Sequence, residues 1–163
     1  KNQNNSTAYI ATSVAFDDEM KERVRKHQAS RPKEWKTYEI YKDIYKIIKD
    51  ISEKHQTVIL DCITLLVNNL MFTDGIDIDN ASEEEINELE AYIQDQIKKL
   101  MEEVKKTDLY FVMVTNEIGL GVVPGYKLGR VYCDFVGRIN QMLGKLSDEV
   151  YFVVCGIPTK IKG

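Results

Sequence analysis

The sequence predicts an α/β fold, a mostly parallel sheet with helices on both faces, and two observations carry that expectation. Residues 57–63 (TVILDCI), 109–115 (LYFVMVT) and 150–155 (VYFVVC) are nearly unbroken apolar runs, the pattern of parallel strands buried on both sides. Between them lie segments whose apolar residues recur at three and four, the spacing of one helical face. Strand and helix alternate through all 163 residues, with no linker or repeat, so the chain reads as one α/β domain over 1–163.

Each element has its own signal. Residues 7–12 (TAYIAT) form a short β-rich run ending in small residues. Residues 17–30 open with Asp17, Asp18 and Glu19 and continue with Lys21, Arg23, Arg25 and Lys26, a charge order that suits the dipole of a helix. Pro32 disfavours helical geometry at Arg31, so this helix ends just past His27. Met20, Val24 and His27 fall on one face of it, with Arg23 one turn before His27. Residues 36–40, preceded by the only tryptophan, Trp35, read as a second short strand, and Ile44, Ile47, Ile48 and Ile51 as a helical stripe. The strand at 57–63 carries one acid, Asp61, at its C-terminal end, and residues 64–72 read as helix.

The acidic loop TDGIDIDNAS follows. Asp74, Asp77 and Asp79 resemble a calcium loop in composition, but the glycine and the closing glutamate are at the wrong offsets. Ser82 and Glu85 form a capping-box pattern, and Ile86, Leu89, Ile93, Ile97, Leu100 and Val104 mark a long amphipathic helix to about residue 106. After the strand at 109–115 comes the loop NEIGLGVVPG. A helix follows over 126–146, its stripe being Leu128, Val131, Phe135, Ile139, Met142 and Leu146. The run at 150–155 is expected as a third buried strand, and the tail GIPTKIKG as a short edge strand.

Composition narrows the function. An apolar fraction of 44% and a charged fraction of 29% are those of an ordinary globular protein. A net charge of −4 argues against a general nucleic-acid binder, which needs a broad basic surface. Cys62, Cys133 and Cys155 lack metal-type spacing and are expected as small core residues in a reducing cytoplasm. No run reaches the eighteen or so apolar residues of a membrane span, and no signal peptide is visible.

In open α/β sheets ligands bind beyond the carboxyl ends of the strands. Thr12, Ser13, Asp61, Asn116 and Glu117 stand at those ends. Asp61, after Val58, Ile59 and Leu60, has the pattern of an acid that orients Mg2+ on a nucleoside triphosphate; a plain capping carboxylate fits the same pattern. Gly119 and Gly121 are no phosphate cradle, lacking the lysine and hydroxyl residue that must follow, and are expected to bend a loop over a ligand. His27, in a basic helix end, suits attack on phosphorus with arginines to grip phosphate oxygens; a polar helix-end residue fits the spacing equally. His55, in the context EKHQ, reads as exposed and uninvolved.

With these residues on the page, the chain resembles the bifunctional adenosylcobinamide kinase/adenosylcobinamide-phosphate guanylyltransferase family of cobalamin biosynthesis. The resemblance rests on YIATS at 9–13, DDEM at 17–20, RVRKHQASRPKEWKTYE at 23–39 and ILDCITLLVNNL at 59–70. VTNEIGLGVVP at 114–124 and the stretch from GRINQ to the end, 137–163, complete it. What it implies is a P-loop NTPase (RecA-like) fold whose one domain, 1–163, binds nucleotide, and an enzyme that phosphorylates adenosylcobinamide and then moves GMP from GTP onto adenosylcobinamide phosphate, through a guanylyl group on His27. It further implies nucleotide contacts at Ala11, Thr12, Ser13, Gln28, Ala29, Ser30, Arg31, Glu39 and Asp61, Mg2+ held at Asp61 with GTP or ATP, and a homotrimer. Asp61 departs from the glutamate of relatives, a shorter carboxylate that would reach the metal through water. The family opens with a strand and a GGARSGKS-type phosphate loop, a unit of about 30 residues, and the expectation is that this segment is missing ahead of Lys1. Two other readings stay open: a non-catalytic nucleotide-fold binding or assembly module, and a P-loop NTPase with no covalent intermediate.

Overall fold

The computed structural model describes residues 6–14 and 18–163, with side chains for all of these except Met20, Arg23, His27 and Ser30. The expectation for Asp17 lies outside the described residues.

Three apolar runs become β1 (Thr7–Ala11), β3 (Thr57–Asp61) and β4 (Tyr110–Val114), and KTYE becomes β2 (Lys36–Glu39). They form one parallel sheet in the order β2-β1-β3-β4. Among the described residues β4 pairs with β3 alone. Side chains alternate across a strand, so the register sorts the sheet into two faces. Ala8, Ile10, Val58 and Leu60 share one face and are fully buried in the core cluster, while Tyr9, Ala11, Ile59 and Asp61 share the other.

Helices α1 (Asp18–Ser30), α2 (Ile48–Ser52), α3 (Ile63–Met71), α4 (Glu83–Val104) and α5 (Lys127–Leu146) alternate with these strands, and a 3-10 turn, Ile44–Ile47, leads into α2. Helix α4 begins as Ser82 predicts. The Ser82 hydroxyl accepts from the Glu85 N–H at 3.2 Å, and the Glu85 carboxylate accepts from the Ser82 N–H at 2.8 Å. Its stripe of Ile93, Ile97 and Leu100 is buried, as are Phe135, Val136 and Ile139 of α5, so the apolar faces of both helices are spent on the core. Each such side chain stabilises the fold by roughly 1.5–3 kcal/mol.

The C-terminal run departs from expectation. Residues 150–154 do form a strand, β5 (Val150–Val154), but it is not buried: Tyr151, Val153 and Val154 are exposed. Among the described residues it pairs only with β6 (Ile157–Lys162), antiparallel. The cause is the turn: Cys155 and Gly156 both have positive φ, 51° and 77°, the conformation of a two-residue hairpin turn, which sends the chain straight back along β5. An apolar run alone does not distinguish this from a buried parallel strand. Lys162 anchors the hairpin on the end of α5, its ammonium donating to the carbonyls of Gly144, Lys145 and Ser147 at 2.7–3.0 Å, where a cation suits the helix dipole.

Two smaller expectations are also corrected. Only Cys62 of the three cysteines is buried; Cys133 is intermediate, and Cys155 is exposed because it sits in the hairpin turn. His55 is half-buried, not exposed, since the return of the chain into β3 packs it against Tyr38: Nε2 lies 3.3 Å from the Tyr38 hydroxyl and the rings meet edge-on.

Candidate functional site

At the carboxyl ends of the strands the register places Glu39, Ala11, Asp61 and Val114 in one row across the sheet. Two acids thus flank the end of β1 on the same face. Helix α1 leaves just beyond this row and its C-terminal turn comes back to it. Gln28 Nε2 donates to Glu39 Oε1 at 2.9 Å. Arg31, just past the helix end, lays its guanidinium 3.6 Å from the centroid of the Tyr9 ring, a cation–π contact. Pro32 fixes the exit, and Trp35 stacks near Tyr9 with ring centroids 6.3 Å apart.

Tyr9 is where these groups meet. Its hydroxyl donates to Asp61 Oδ2. Its pKa is pushed above the ordinary tyrosine value, first by burial and then by that hydrogen bond, so the phenol stays a neutral donor. Arg31 Nε and Nη1 are buried and have no hydrogen-bond partner among the described residues.

Beside them, Thr12 is fully buried and every polar group it has is engaged. Its hydroxyl donates to the Cys62 carbonyl at 2.8 Å and accepts from the Cys62 N–H at 2.9 Å. Its N–H donates to the Asp61 carbonyl at 3.1 Å, and its carbonyl accepts from Asn69 Nδ2 at 2.6 Å. The Asp61–Cys62 peptide bond, at this junction, is cis. Ala11 is buried with its carbonyl taken by the Ile40 N–H, Ser13 is partly exposed, and Gln28, Ala29 and Glu39 are exposed. His27 and Ser30 lie on α1, between Lys26 and Arg31; the placement of their side chains lies outside the description.

The end of β4 carries a second polar cluster. Thr115 Oγ1 donates to Asn140 Oδ1 at 2.7 Å, Asn140 Nδ2 to the Asn116 carbonyl, and Asn116 Nδ2 to Thr64 Oγ1. The following loop makes one 3-10 turn at Ile118–Leu120 and exposes Leu120, Val122 and Val123; neither Gly119 nor Gly121 has a positive φ. In the acidic loop, Asp77 accepts from the Asp79 N–H and from Asn80, and Asp79 from the Leu128 N–H, so these acids serve local turns and the start of α5.

The register gathers Ala11, Thr12, Glu39 and Asp61, and the return of α1 adds Gln28 and Arg31. Sequence reasoning did not single out Tyr9, Trp35, Thr64, Asn69 or Asn140. Tyr9 could have been found by parity, because it stands two residues before Ala11 on the face that carries Asp61. No group of three or more His, Cys, Asp or Glu residues gathers among the described residues. A cation at Asp61 would therefore take one protein carboxylate and complete its shell from water and substrate phosphate, the manner in which Mg2+ is commonly held.

A family model described as cobinamide kinase/cobinamide phosphate guanyltransferase matches residues 1–161. The chain is similar to the bifunctional adenosylcobalamin biosynthesis protein CobU of Escherichia coli, 38% identical over 154 residues that cover 94% of this chain and 84% of the relative. The protein of the same name from Salmonella typhimurium matches with the same identity and coverage. The bifunctional adenosylcobalamin biosynthesis protein CobP of Pseudomonas aeruginosa is 31% identical over 158 residues, 97% of this chain and 83% of the relative.

Proposed function

The chain belongs to the cobinamide kinase/cobinamide phosphate guanyltransferase family, and from that premise we propose that it first phosphorylates the aminopropanol hydroxyl of adenosylcobinamide. It then transfers GMP from GTP, by way of a guanylyl-histidine at His27, to adenosylcobinamide phosphate, giving adenosylcobinamide-GDP. The observation that supports this best is the return of α1 to the row of strand ends, which brings Gln28 and Arg31 to Glu39, Tyr9 and Asp61. The basic helix carrying His27 is thereby placed against the end of the sheet where ligands of such folds bind.

In this reading an imidazole nitrogen of His27 attacks the α-phosphorus of GTP. A P–N bond forms as the bond to pyrophosphate breaks, and pyrophosphate leaves. An oxygen of adenosylcobinamide phosphate then attacks the same phosphorus, the P–N bond breaks, and the imidazole is restored. Arg31, whose Nε and Nη1 have no hydrogen-bond partner among the described residues, has donors left for phosphate oxygens. Thr12 acts through position: with its hydroxyl and backbone all engaged, it fixes the ends of β1 and β3. Ala11, Ser13 and Ala29 border the nucleotide with backbone and small side chains, and Ser30 is assigned to the same contact as the residue that follows Ala29. Asp61 would hold Mg2+, which when bound would supply charge neutralisation on the triphosphate of GTP or ATP. The assembly proposed is a cytoplasmic homotrimer.

Mass spectrometry of the full-length protein after incubation with Mg2+ and GTP tests the covalent step. An added GMP, labile to acid and mapped to His27, is expected, and His27→Ala is expected to abolish it. GMP transfer that survives this replacement would refute the assignment.

A further inference from the structure

Tyr9 has no role in the mechanism just given, yet a carboxylate, a guanidinium and an indole all meet on it. An arginine and an aspartate in contact with the same ring would ordinarily pair directly, fork to carboxylate. Here they do not. Asp61 takes its hydrogen bond from the phenol, and Arg31 rests on the face of the ring with Nε and Nη1 buried and without a partner among the described residues. Buried N–H groups are seldom left without an acceptor, and where they are, a ligand or water commonly supplies it.

We propose that Tyr9 is a positioning residue that keeps Arg31 and Asp61 apart. Its hydroxyl holds the carboxylate and its ring carries the guanidinium, so the Nε and Nη1 donors of Arg31 stay open to the phosphate oxygens of a nucleotide. The inference rests on the reading of the strand ends as a nucleotide site. It assigns the tyrosine a different task from the residues that touch substrate: without it, the site neutralises itself through an internal ion pair.

Trp35, the only tryptophan in the chain, stacks beside Tyr9 and reports on the site by its fluorescence. The full-length protein is titrated with GTP in EDTA, so that the metal plays no part. Tyr9→Phe keeps the ring and the fold but releases Asp61 to swing onto Arg31, and GTP is expected to bind roughly tenfold more weakly, the worth of one charge-assisted hydrogen bond. Asp61→Asn is made in the parent and in Tyr9→Phe: it removes the competing charge and is expected to raise affinity by a larger factor in Tyr9→Phe, recovering what was lost there, an excess that a merely structural tyrosine would not show. Tripolyphosphate, which has the phosphate oxygens without the nucleoside, is expected to give the same order of affinities. Unchanged binding in Tyr9→Phe, or no larger gain from Asp61→Asn there than in the parent, overturns the role of Tyr9, as does an effect seen with GTP but absent with tripolyphosphate. A wild-type protein that does not bind GTP overturns the nucleotide reading itself, and the two failures are thus told apart.

Discussion

Thr12 and Cys62 are bonded to each other twice, the threonine hydroxyl donating to the cysteine carbonyl and accepting from its N–H. The pair closes the gap between the ends of β1 and β3, next to Asp61. Thr12→Val leaves the Cys62 N–H buried without an acceptor, whereas the Cys62 carbonyl still accepts from the Leu66 N–H. A loss of about 2 kcal/mol is expected, read as a fall in Tm of roughly 4–8 °C for a chain of this size. Thr12→Ser keeps both bonds and is expected to stay within about 1 kcal/mol of the parent. Thermal melts of the three proteins check it.

At the start of α4, Ser82 and Glu85 satisfy each other's backbone N–H groups. Ser82→Ala removes the acceptor for the Glu85 N–H and is expected to cost about 1 kcal/mol, while Ser82→Asp, an equally good cap, is expected to cost little. Urea unfolding curves with an unchanged slope would show that the effect lies in the folded state.

Arg138 of α5 grips Glu90 of α4 with Nε and Nη2, at 2.5 and 2.9 Å. The glutamate side chain is 15% exposed but the arginine 47%, so solvent screens the pair and its coupling is expected to be no more than about 1 kcal/mol. A double-mutant cycle of Arg138→Met and Glu90→Gln measures it; a coupling several times larger would mean that the α4–α5 contact depends on this pair.

His55 titrates below the ordinary histidine range, chiefly because it is partly buried and then because Lys54 and Lys36 repel its charged form. A lowered pKa in the folded state means that the unfolded chain binds the proton more readily. The stability tied to neutral His55 is therefore fully present above the unfolded value of about 6.5 and is lost as the pH falls through the folded value. His55→Phe keeps the ring against Tyr38 and cannot take up the proton. The stability advantage of the parent over this variant is expected to shrink from about pH 7 to about pH 5, as followed by denaturant unfolding at each pH.

Much of this was legible from residue order. TAYIA, TVILD and YFVMV are strands because their apolar residues are, and β1, β3 and β4 pair in parallel because a helix lies between one strand and the next. Ser82, Glu85 and the stripe from Ile93 to Val104 specify α4 locally. The hairpin was not legible, since VYFVV has the composition of a buried strand and only the backbone at Cys155 and Gly156 decides otherwise. For the site, Asp61 could be placed by its position at a strand end, whereas Glu39 came only with the family resemblance. The meeting of Arg31 with Tyr9 could not, because it depends on where the turn at Pro32 delivers the chain. Nor does sequence tell that the Thr12 hydroxyl is already taken, since that requires knowing which backbone groups of the neighbouring strand end lack partners.

The alignment of Glu39, Ala11 and Asp61 in a single row has a bearing on misfolding. Side chains alternate between faces, so a slip of one residue in the pairing of β3 would turn Asp61 toward the helices and bring Val58 and Leu60 out of the core. Such a chain could not persist as an intact but inactive protein. It would bury an unpaired charge and expose its apolar strand, and proteases would remove it. Proteins that survive cellular quality control therefore already have Glu39 and Asp61 on one face of the sheet, and the same apolar residues that hold the sheet together act as the inspection of that arrangement.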